Sequence, residues 1–187
     1  MGLHLSTMLD DHIRGRLVDL PTKLLGVRLL EGRKHIDERG FFAEVFSTAA
    51  LYDVGLDMTV AQANVSHSAK AGTLRGMHYQ VAPKAQAKLV RCLHGAIYDV
   101  VLDLRPESKS LGRSFGAQLT AENYLAMYVP KGFAHGFITL TDNTEVLYCV
   151  DEVYSPDHER VVRHDDERYS IVWPMEPTVI SDRDKMA

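Results

Sequence analysis

The chain has 187 residues, 45% of them hydrophobic and 25% charged, which is the size and composition of one globular domain. Its 21 Lys and Arg against 25 Asp and Glu give a net charge of −4, which argues against a nucleic-acid-binding protein but still allows a local basic pocket for a small anion. No apolar stretch of about 18 residues occurs, so no membrane span is expected, and we expect no membrane partner. We expect a single domain over residues 1–187 with an N-terminal arm at about 1–23.

The N-terminal segment and the cysteines predict little chemistry. The first 25 residues contain Asp10, Asp11 and Asp19 and no long apolar core, so a signal peptide is not expected. Cys92 and Cys149 lie in apolar runs without a CxxC spacing, which predicts buried free thiols rather than a disulfide.

The predicted secondary structure is almost entirely strand. From about residue 58 to 151, short runs rich in Val, Ile, Leu and Tyr alternate with Gly, Pro, Asn and Asp, a pattern typical of an all-β sandwich or barrel. His94–Gly95 predicts a hairpin turn, and Ser47 predicts the cap of one short helix at 47–53. The predicted strands are residues 24–30, 41–46, 58–66, 73–80, 87–93, 96–104, 113–120, 125–129, 136–141 and 145–151.

The histidine spacing argues against a metal centre. The chain has nine histidines, and a metal-binding cupin site would need an HxH pair whose imidazoles converge on one ion. His78 and His135 instead occur singly in their strands, and no HxH or HxxxH spacing is present. We therefore expect no metal site.

The predicted strand 73–80, with sequence TLRGMHYQ, is unusually polar. On a two-residue period His78 shares a face with Gly76 and Gln80, whereas Arg75 points to the other face. If His78 and Arg75 serve one pocket, the strand must bulge or bend, and Gly76 is the natural place. A hydrogen-bonded core histidine is the competing interpretation.

Other predicted strands also carry polar side chains. For Tyr148 alone, core packing is the commoner role, and a buried carboxylate such as Asp99 needs a partner. Several such residues on separate strands of one barrel predict a polar pocket inside it. The polar strand residues are Gln62, Asn64, Ser66, Lys88, Asp99 and Tyr148.

Seven segments, taken together in their order, resemble dTDP-4-dehydrorhamnose 3,5-epimerases from about residue 24 to 184. The resemblance implies a cupin-type double-stranded β-helix (a jelly-roll barrel or sandwich) with a few short helices and no metal or other cofactor. It also implies a homodimer with exchanged N-terminal strands in the cytoplasm. The segments are ERGFFAE (38–44), QAN (62–64), TLRGMHYQ (73–80), AKLVR (87–91), YDVVLDLRP (98–106), VPKGFAHGF (129–137) and YSPDHE (154–159).

The reaction implied by the resemblance is epimerisation of a dTDP-4-keto-6-deoxy-hexose at C3 and C5 through an enolate. The C4 ketone acidifies both hydrogens, and the reaction then needs a base, an acid and a stabiliser of the enolate oxygen. By motif position His78 is the base and Tyr148 the acid. Asp184, which alone is typical of a solvated tail, is the partner of His78 in this family. Asp99 and His135 resemble a second pair beside the sugar, and Lys88 faces the enolate oxygen.

The resemblance also implies a set of nucleotide-binding residues. Arg75 and Arg39 suit the diphosphate, because a guanidinium matches phosphate oxygens. Tyr154 matches a tyrosine that stacks on thymine. Arg39 and Glu44 belong to the segment that the family exchanges between subunits. The complete expected set is Arg39, Glu44, Gln62, Asn64, Arg75, Tyr154, Glu159 and Arg183.

Three alternatives stay open at this stage. The loop between Asn64 and Arg75 is one residue longer than the common form and contains His67, so a C3-only epimerase or a GDP- or CDP-linked substrate is compatible with the sequence. A catalytically silent sugar-nucleotide-binding cupin is the alternative of another class, although both His78 and Tyr148 are present. A metal-dependent cupin is the third, and the missing HxH spacing argues against it.

Overall fold

The computed structural model describes residues 17–169 and 171–186, and these residues form two sheets, a separate hairpin and three short helical segments. The strands are β1 (Leu17–Leu20), β2 (Arg28–Gly32), β3 (Lys34–Asp37), β4 (Gly40–Ala43), β5 (Gln62–Ser68), β6 (Thr73–Gln80), β7 (Lys88–His94), β8 (Ala96–Asp103), β9 (Ser114–Thr120), β10 (Leu125–Val129), β11 (Phe133–Thr139), β12 (Thr144–Val150), β13 (Glu159–Val161) and β14 (Val179–Ile180). The helical segments are α1 (Thr48–Asp53), a 3-10 turn (Pro156–His158) and α2 (Asp182–Lys185).

The two sheets face each other and confirm the predicted all-β jelly roll. Sheet I has the strand order β1-β2-β10-β7-β12-β5, and sheet II has the order β13-β6-β11-β8-β9. All of these neighbours pair antiparallel, whereas β14 adds to β6 in parallel. Strands β3 and β4 form a hairpin apart from both sheets.

The hydrophobic core lies between the sheets. Strands of sheet I contribute Val90 and Met127, and strands of sheet II contribute Ile97, Val101 and Phe137, all buried. Two smaller clusters cover the outer faces: α1 packs on sheet I through Leu51, and the segment after β13 packs on sheet II. Strands covered on both sides, such as β8 and β11, are consequently buried along almost their whole length, whereas the edge strand β5 alternates between half-buried and exposed residues.

The element bounds agree best with the sequence where strands are long. Helix α1 begins after Ser47, whose Oγ accepts a hydrogen bond from the backbone N–H of Ala50 at 3.3 Å, as predicted. Strand β2 begins at residue 28 rather than 24, β4 ends at 43 rather than 46, and β5 begins at 62 rather than 58. The sequence does not predict strands β1, β3, β13 and β14. Each is only two to four residues long, which is too short for a recognisable alternation of polar and apolar side chains.

One local prediction is wrong. His94–Gly95 does not close a hairpin: β7 pairs with β10 and β12 in sheet I, whereas β8 pairs with β9 and β11 in sheet II. The turn therefore carries the chain between sheets, and Gly95 adopts a φ of +76° there. Residues 17–20 of the predicted arm form β1 against β2, while residues 1–16 lie outside the described residues.

Both cysteines are buried free thiols, as predicted. No helix among the described residues is long and apolar enough to cross a membrane.

Candidate active site

A cavity of about 450 Å³ opens between the two sheets and gathers most of the expected catalytic residues. Sheet II contributes Arg75, His78 and His135, and sheet I contributes Lys88 and Tyr148. The cavity is therefore rich in cationic groups in a chain whose net charge is −4. Its lining residues are Ser66, Thr73, Leu74, Arg75, Gly76, His78, Lys88, His135, Phe137, Tyr148, Val179, Ile180, Ser181, Arg183 and Asp184.

A bulge in β6 brings Arg75 and His78 to the same cavity. His135 of β11 pairs with His78, but Phe137 pairs with Arg75, so β6 has one extra residue over this interval. Gly76 lies in the interval with a φ of +124°, and a Cβ there would come within 2.5 Å of the Gly136 Cα. Only glycine fits this conformation and this close approach. The predicted bend at Gly76 is confirmed.

His78 is hydrogen-bonded to Asp184. Its Nε2 lies 2.8 Å from Asp184 Oδ1, and Asp184 Oδ2 accepts a hydrogen bond from the backbone N–H of Gly76 at 3.2 Å. Because a carboxylate only accepts, Nε2 carries the proton of the neutral imidazole and Nδ1 keeps the lone pair. Burial lowers the pKa of His78 below 6.5 despite the opposing effect of Asp184, so the imidazole is neutral and basic at pH 7.

Asp184 reaches the cavity because the C-terminal segment docks on β6. Strand β14 pairs in parallel with Thr73 and Leu74, and α2 follows directly. The Ser181 hydroxyl caps α2 by accepting a hydrogen bond from the Asp184 N–H at 3.2 Å. Asp184 is 4% exposed and is not a solvated tail residue.

A second histidine and carboxylate pair lies on sheet II. His135 Nε2 is 2.7 Å from Oδ1 of Asp99, which is fully buried on the neighbouring strand β8. Asp99 is behind His135 and does not line the cavity, so it orients that imidazole and does not contact a ligand itself.

Lys88 lies on the facing wall. Its Nζ donates a hydrogen bond to the backbone carbonyl of His78 at 3.2 Å, which joins the two sheets across the cavity. Burial lowers the pKa of Lys88 to about 8, with Asp99 opposing the shift. The ammonium is thus still the major form at pH 7 and can donate to an oxyanion.

Tyr148 also belongs to sheet I and lines the cavity from the wall opposite His78. Burial raises the pKa of its hydroxyl above 10, and the charge of Arg75 opposes this shift. The phenol is therefore protonated at neutral pH and can serve as a proton donor.

Arg75 is held in place at the cavity mouth by strand β5. Its Nε donates to the Ser68 hydroxyl at 3.2 Å and its Nη2 donates to the His67 carbonyl at 3.0 Å. No carboxylate among the described residues forms a salt bridge with Arg75, which leaves its charge available for an anion.

A polar rim extends from the cavity through five expected nucleotide-binding residues. Gln62 donates to Asn64 Oδ1 at 2.7 Å and accepts from the backbone N–H of Tyr154 at 3.1 Å. The Tyr154 hydroxyl donates to Glu159 Oε2 at 2.7 Å, and Arg183 donates to the same oxygen. Tyr154 is 48% exposed, so a ring face is open to a ligand.

Arg39 and Glu44 are not brought to the cavity within one chain. Arg39 lies in the turn of the β3–β4 hairpin, has a side chain that is 84% exposed and donates to Asp37. Glu44 faces a small groove beside α1 on the outer side of sheet I. Their expected position at a partner's site stays a prediction.

Sequence reasoning placed Ser66 among the pocket-lining polar residues without giving it a role, and it missed Ser68. Ser66 is on the polar face of β5, and its hydroxyl is buried at the cavity with no hydrogen-bond partner among the described residues. Ser68, which orients Arg75, lies two residues after Ser66 on the same face of β5, so the alternation of that strand could have identified it. Within residues 17–169 and 171–186, no group of three His, Cys, Asp or Glu side chains could hold a metal ion.

Fold and site together define a cupin-type enzyme that transfers protons within a barrel, because a basic imidazole and a protonated phenol project from opposite walls into one cation-lined cavity. The family model for dTDP-4-dehydrorhamnose 3,5-epimerase matches residues 21–187. The chain belongs to this family of epimerases.

Individual relatives agree with this assignment. The dTDP-4-dehydrorhamnose 3,5-epimerase of Shigella flexneri is 40% identical over 166 residues, which are 88% of this chain and 91% of that protein. The Legionella pneumophila dTDP-6-deoxy-D-glucose-3,5-epimerase, solved with dTDP-4-keto-L-rhamnose, has a TM-score of 0.87 at 34% identity and covers 91% of each chain. A 3'-monoepimerase from Streptomyces bikiniensis, solved with dTDP-quinovose, has a TM-score of 0.83 at 37% identity over 89% of this chain and 85% of that one.

Proposed function

We propose that this chain epimerises a dTDP-4-keto-6-deoxy-hexose at C3 and C5 in deoxysugar biosynthesis of the rhamnose type. The observation that carries the proposal is the placement of His78 and Tyr148 on opposite walls of one cavity, since inversion at carbon needs a base on one face of the ring and an acid on the other. Family membership and the ligand of the Legionella relative support the substrate class.

The reaction proceeds in two proton transfers at each carbon. His78 Nδ1 takes the proton from C3 or C5, and the electrons of the broken C–H bond pass to the C4 oxygen as an enolate. Tyr148 then gives its proton to the same carbon from the other face, and the ketone is restored. His78 loses its new proton to solvent and Tyr148 regains one, so the enzyme returns to its starting state without a cofactor.

Three groups assist the transfer. Asp184 fixes the tautomer of His78 and stabilises its protonated form. Lys88 donates to the C4 oxygen as negative charge develops there, and burial strengthens this interaction. His135, held by Asp99, lies beside the sugar as a second donor to its oxygens.

The nucleotide binds along the polar rim. Arg75 contacts the diphosphate, and Tyr154 stacks on the thymine ring. Gln62, Asn64, Glu159 and Arg183 complete the contacts of this chain, while Arg39 and Glu44 come from the second subunit.

We propose a second subunit because the β3–β4 hairpin exposes several large apolar side chains. Ile36 is 79% exposed, Phe42 74% and Phe41 57%, all on β3 and β4. Such a patch on a hairpin outside both sheets marks an interaction surface, and the family resemblance supports an exchanged homodimer in the cytoplasm. Light scattering after size exclusion tests this: a dimer is expected, and a monomer at micromolar concentration contradicts it.

Mass spectrometry of the substrate after incubation in deuterated water tests the reaction. We expect two deuterons in dTDP-4-keto-6-deoxy-glucose, at C3 and C5. One deuteron would identify a C3-only epimerase, as in the Streptomyces relative. No incorporation of deuterium, with dTDP still bound, would indicate a catalytically silent sugar-nucleotide-binding protein. Parallel reactions with GDP- and CDP-linked sugars test which nucleotide the substrate carries.

The pH dependence of kcat/KM is expected to be bell-shaped. Rate is lost on the acid side as His78 becomes protonated, below pH 6.5, because its pKa is lowered by burial. Rate is lost on the alkaline side near pH 8, as Lys88 loses the charge that stabilises the enolate. Lys88→Arg keeps the charge above pH 8, so its alkaline limb should move upward. An unmoved limb would remove Lys88 from this role.

Tyr154→Ala is expected to weaken dTDP binding by about tenfold or more, since stacking on a base contributes about 1–3 kcal/mol. Tyr154→Phe keeps the ring and loses only the hydroxyl bond to Glu159, so its affinity should stay within about threefold of wild type. Calorimetric titration with dTDP measures both, and equal affinity of the alanine variant and wild type would argue against stacking.

A further inference from the structure

Glu159 connects the base to the nucleotide side of the site. Its Oε1 lies 3.5 Å from His78 Nδ1, while its Oε2 accepts from the Tyr154 hydroxyl and from Arg183. The Glu159 side chain is 8% exposed. Its position follows from register, because β13 pairs with β6 so that Glu159 lies opposite Gln80 and Val161 lies opposite His78.

His78 is consequently flanked by two carboxylates, one at each ring nitrogen. Asp184 is at Nε2 and accepts its hydrogen bond in the neutral state. Glu159 faces Nδ1, which has no proton to donate until the base has acted. At 3.5 Å the neutral ring gains little from Glu159, whereas the imidazolium is strongly attracted to a buried carboxylate. The contact therefore favours the protonated base over the neutral one.

We propose that Glu159 is a positioning residue that stabilises the imidazolium of His78 and fixes its ring relative to Tyr154. The inference rests on the proposed function and adds a role in the chemical step to a residue otherwise expected only to bind nucleotide. Proton abstraction creates positive charge on His78, so an interaction present only with the charged ring lowers the barrier. The proton itself stays on His78, and no bond to Glu159 forms or breaks.

Several other charges face His78 and must be considered with Glu159. Asp184 favours the charged imidazole, while Lys88 and Arg183 disfavour it. Arg183 is also the ion-pair partner of Glu159, so removing the carboxylate leaves this cation unbalanced and lowers the pKa of His78 further. The titratable and charged groups around the ring are Asp184 and Arg183 of the C-terminal segment, Glu159 of β13, Lys88 of β7, Tyr148 of β12, Arg75 of β6, and His135 of β11 with Asp99 behind it.

The test replaces Glu159 with glutamine, which keeps the size of the side chain and an acceptor for Tyr154 but removes the charge. NMR titration of the wild-type and variant proteins, with labelled histidine and with His78→Asn as the assignment control, measures the pKa of His78 directly. We expect the pKa to fall by about one unit in Glu159→Gln, the low end of the effect of a nearby opposite charge. We also expect kcat, measured at saturating substrate, to fall about tenfold, whereas any weakening of the nucleotide contacts appears separately in the dissociation constant of dTDP.

Two further variants and a distant control make the test specific. Glu159→Asp keeps the charge and should keep the pKa of His78 and most of kcat. Arg183→Gln removes the opposing cation and should raise the pKa. As the control, Glu152→Gln removes an equal charge at a surface ion pair with Lys84, 3.3 Å apart and outside the cavity, and should change nothing.

An unchanged pKa of His78 in Glu159→Gln would overturn the proposal, and so would a lowered pKa with unchanged kcat. Loss of dTDP affinity alone would show that Glu159 only binds the nucleotide. The pKa measurement needs no substrate. If wild type fails to exchange any sugar hydrogen, the proposed function fails, while the electrostatic link between Glu159 and His78 is still decided by NMR.

Discussion

His78→Asn is expected to lower the rate of solvent exchange at both C3 and C5 by about 10²- to 10⁴-fold, the range that a positioned general base contributes. In the proposed mechanism His78, the cavity imidazole hydrogen-bonded to Asp184, is the base for both carbons. Binding of dTDP should change by no more than about threefold, since Arg75 and Tyr154 are untouched. Proton NMR of the sugar in deuterated water follows both positions separately.

His67→Asn provides the matched control. The His67 side chain is 53% exposed, pairs with Glu145 on the outer side of β5 and β12, and does not line the cavity, so its variant should exchange both hydrogens at the wild-type rate. Exchange retained in His78→Asn would remove His78 as the base and direct attention to His135. Loss at only one carbon would mean that the two carbons use different bases.

Tyr148→Phe is expected to separate proton removal from inversion. The ring and its packing remain, but the hydroxyl that we propose returns the proton from the opposite wall is lost. His78 can still remove a proton and return a deuteron to the same face, so some exchange should persist. Formation of inverted product should fall by about 10²- to 10⁴-fold. Chromatographic separation of the epimers measures inversion beside the NMR measurement of exchange.

Tyr128→Phe is the control for this change. Tyr128 is also half-buried and its hydroxyl pKa is also raised by burial, but it packs on the outer face of sheet I against the cluster of α1. Its variant should produce the inverted sugar normally. Normal inversion in Tyr148→Phe would remove Tyr148 as the acid.

The sequence predicted the barrel and the position of His78 in a polar cavity well, because both depend on local pattern. Long apolar runs such as β8 define strands without tertiary information, and polar side chains as dense as those around His78 are rare in a strand that does not line a pocket. The expectation that His78 and Arg75 need a bend at Gly76 followed from alternation alone. The turn at His94–Gly95 was misassigned because a tight turn looks the same whether the next strand pairs with its neighbour or crosses to the other sheet.

Asp184 shows what pattern alone misses. In the sequence it lies in a charged segment typical of a solvent-exposed tail, and only the family resemblance links it to His78. The parallel pairing of β14 with β6 buries it, and a two-residue strand has no recognisable period. The position of Glu159 beside Nδ1 has the same origin, since it depends on the register of the short strand β13.

The central claim is that His78 removes a proton from one face of the sugar ring and Tyr148 donates a proton to the opposite face. A crystal structure of the protein with dTDP-L-rhamnose, which lacks the reactive ketone, tests this most directly. We predict that C3 and C5 lie beside His78 Nδ1, within about 3.5 Å at the reacting carbon, with the Tyr148 hydroxyl across the ring. A sugar bound outside the cavity between the sheets, or one with both residues on the same face, would contradict the account.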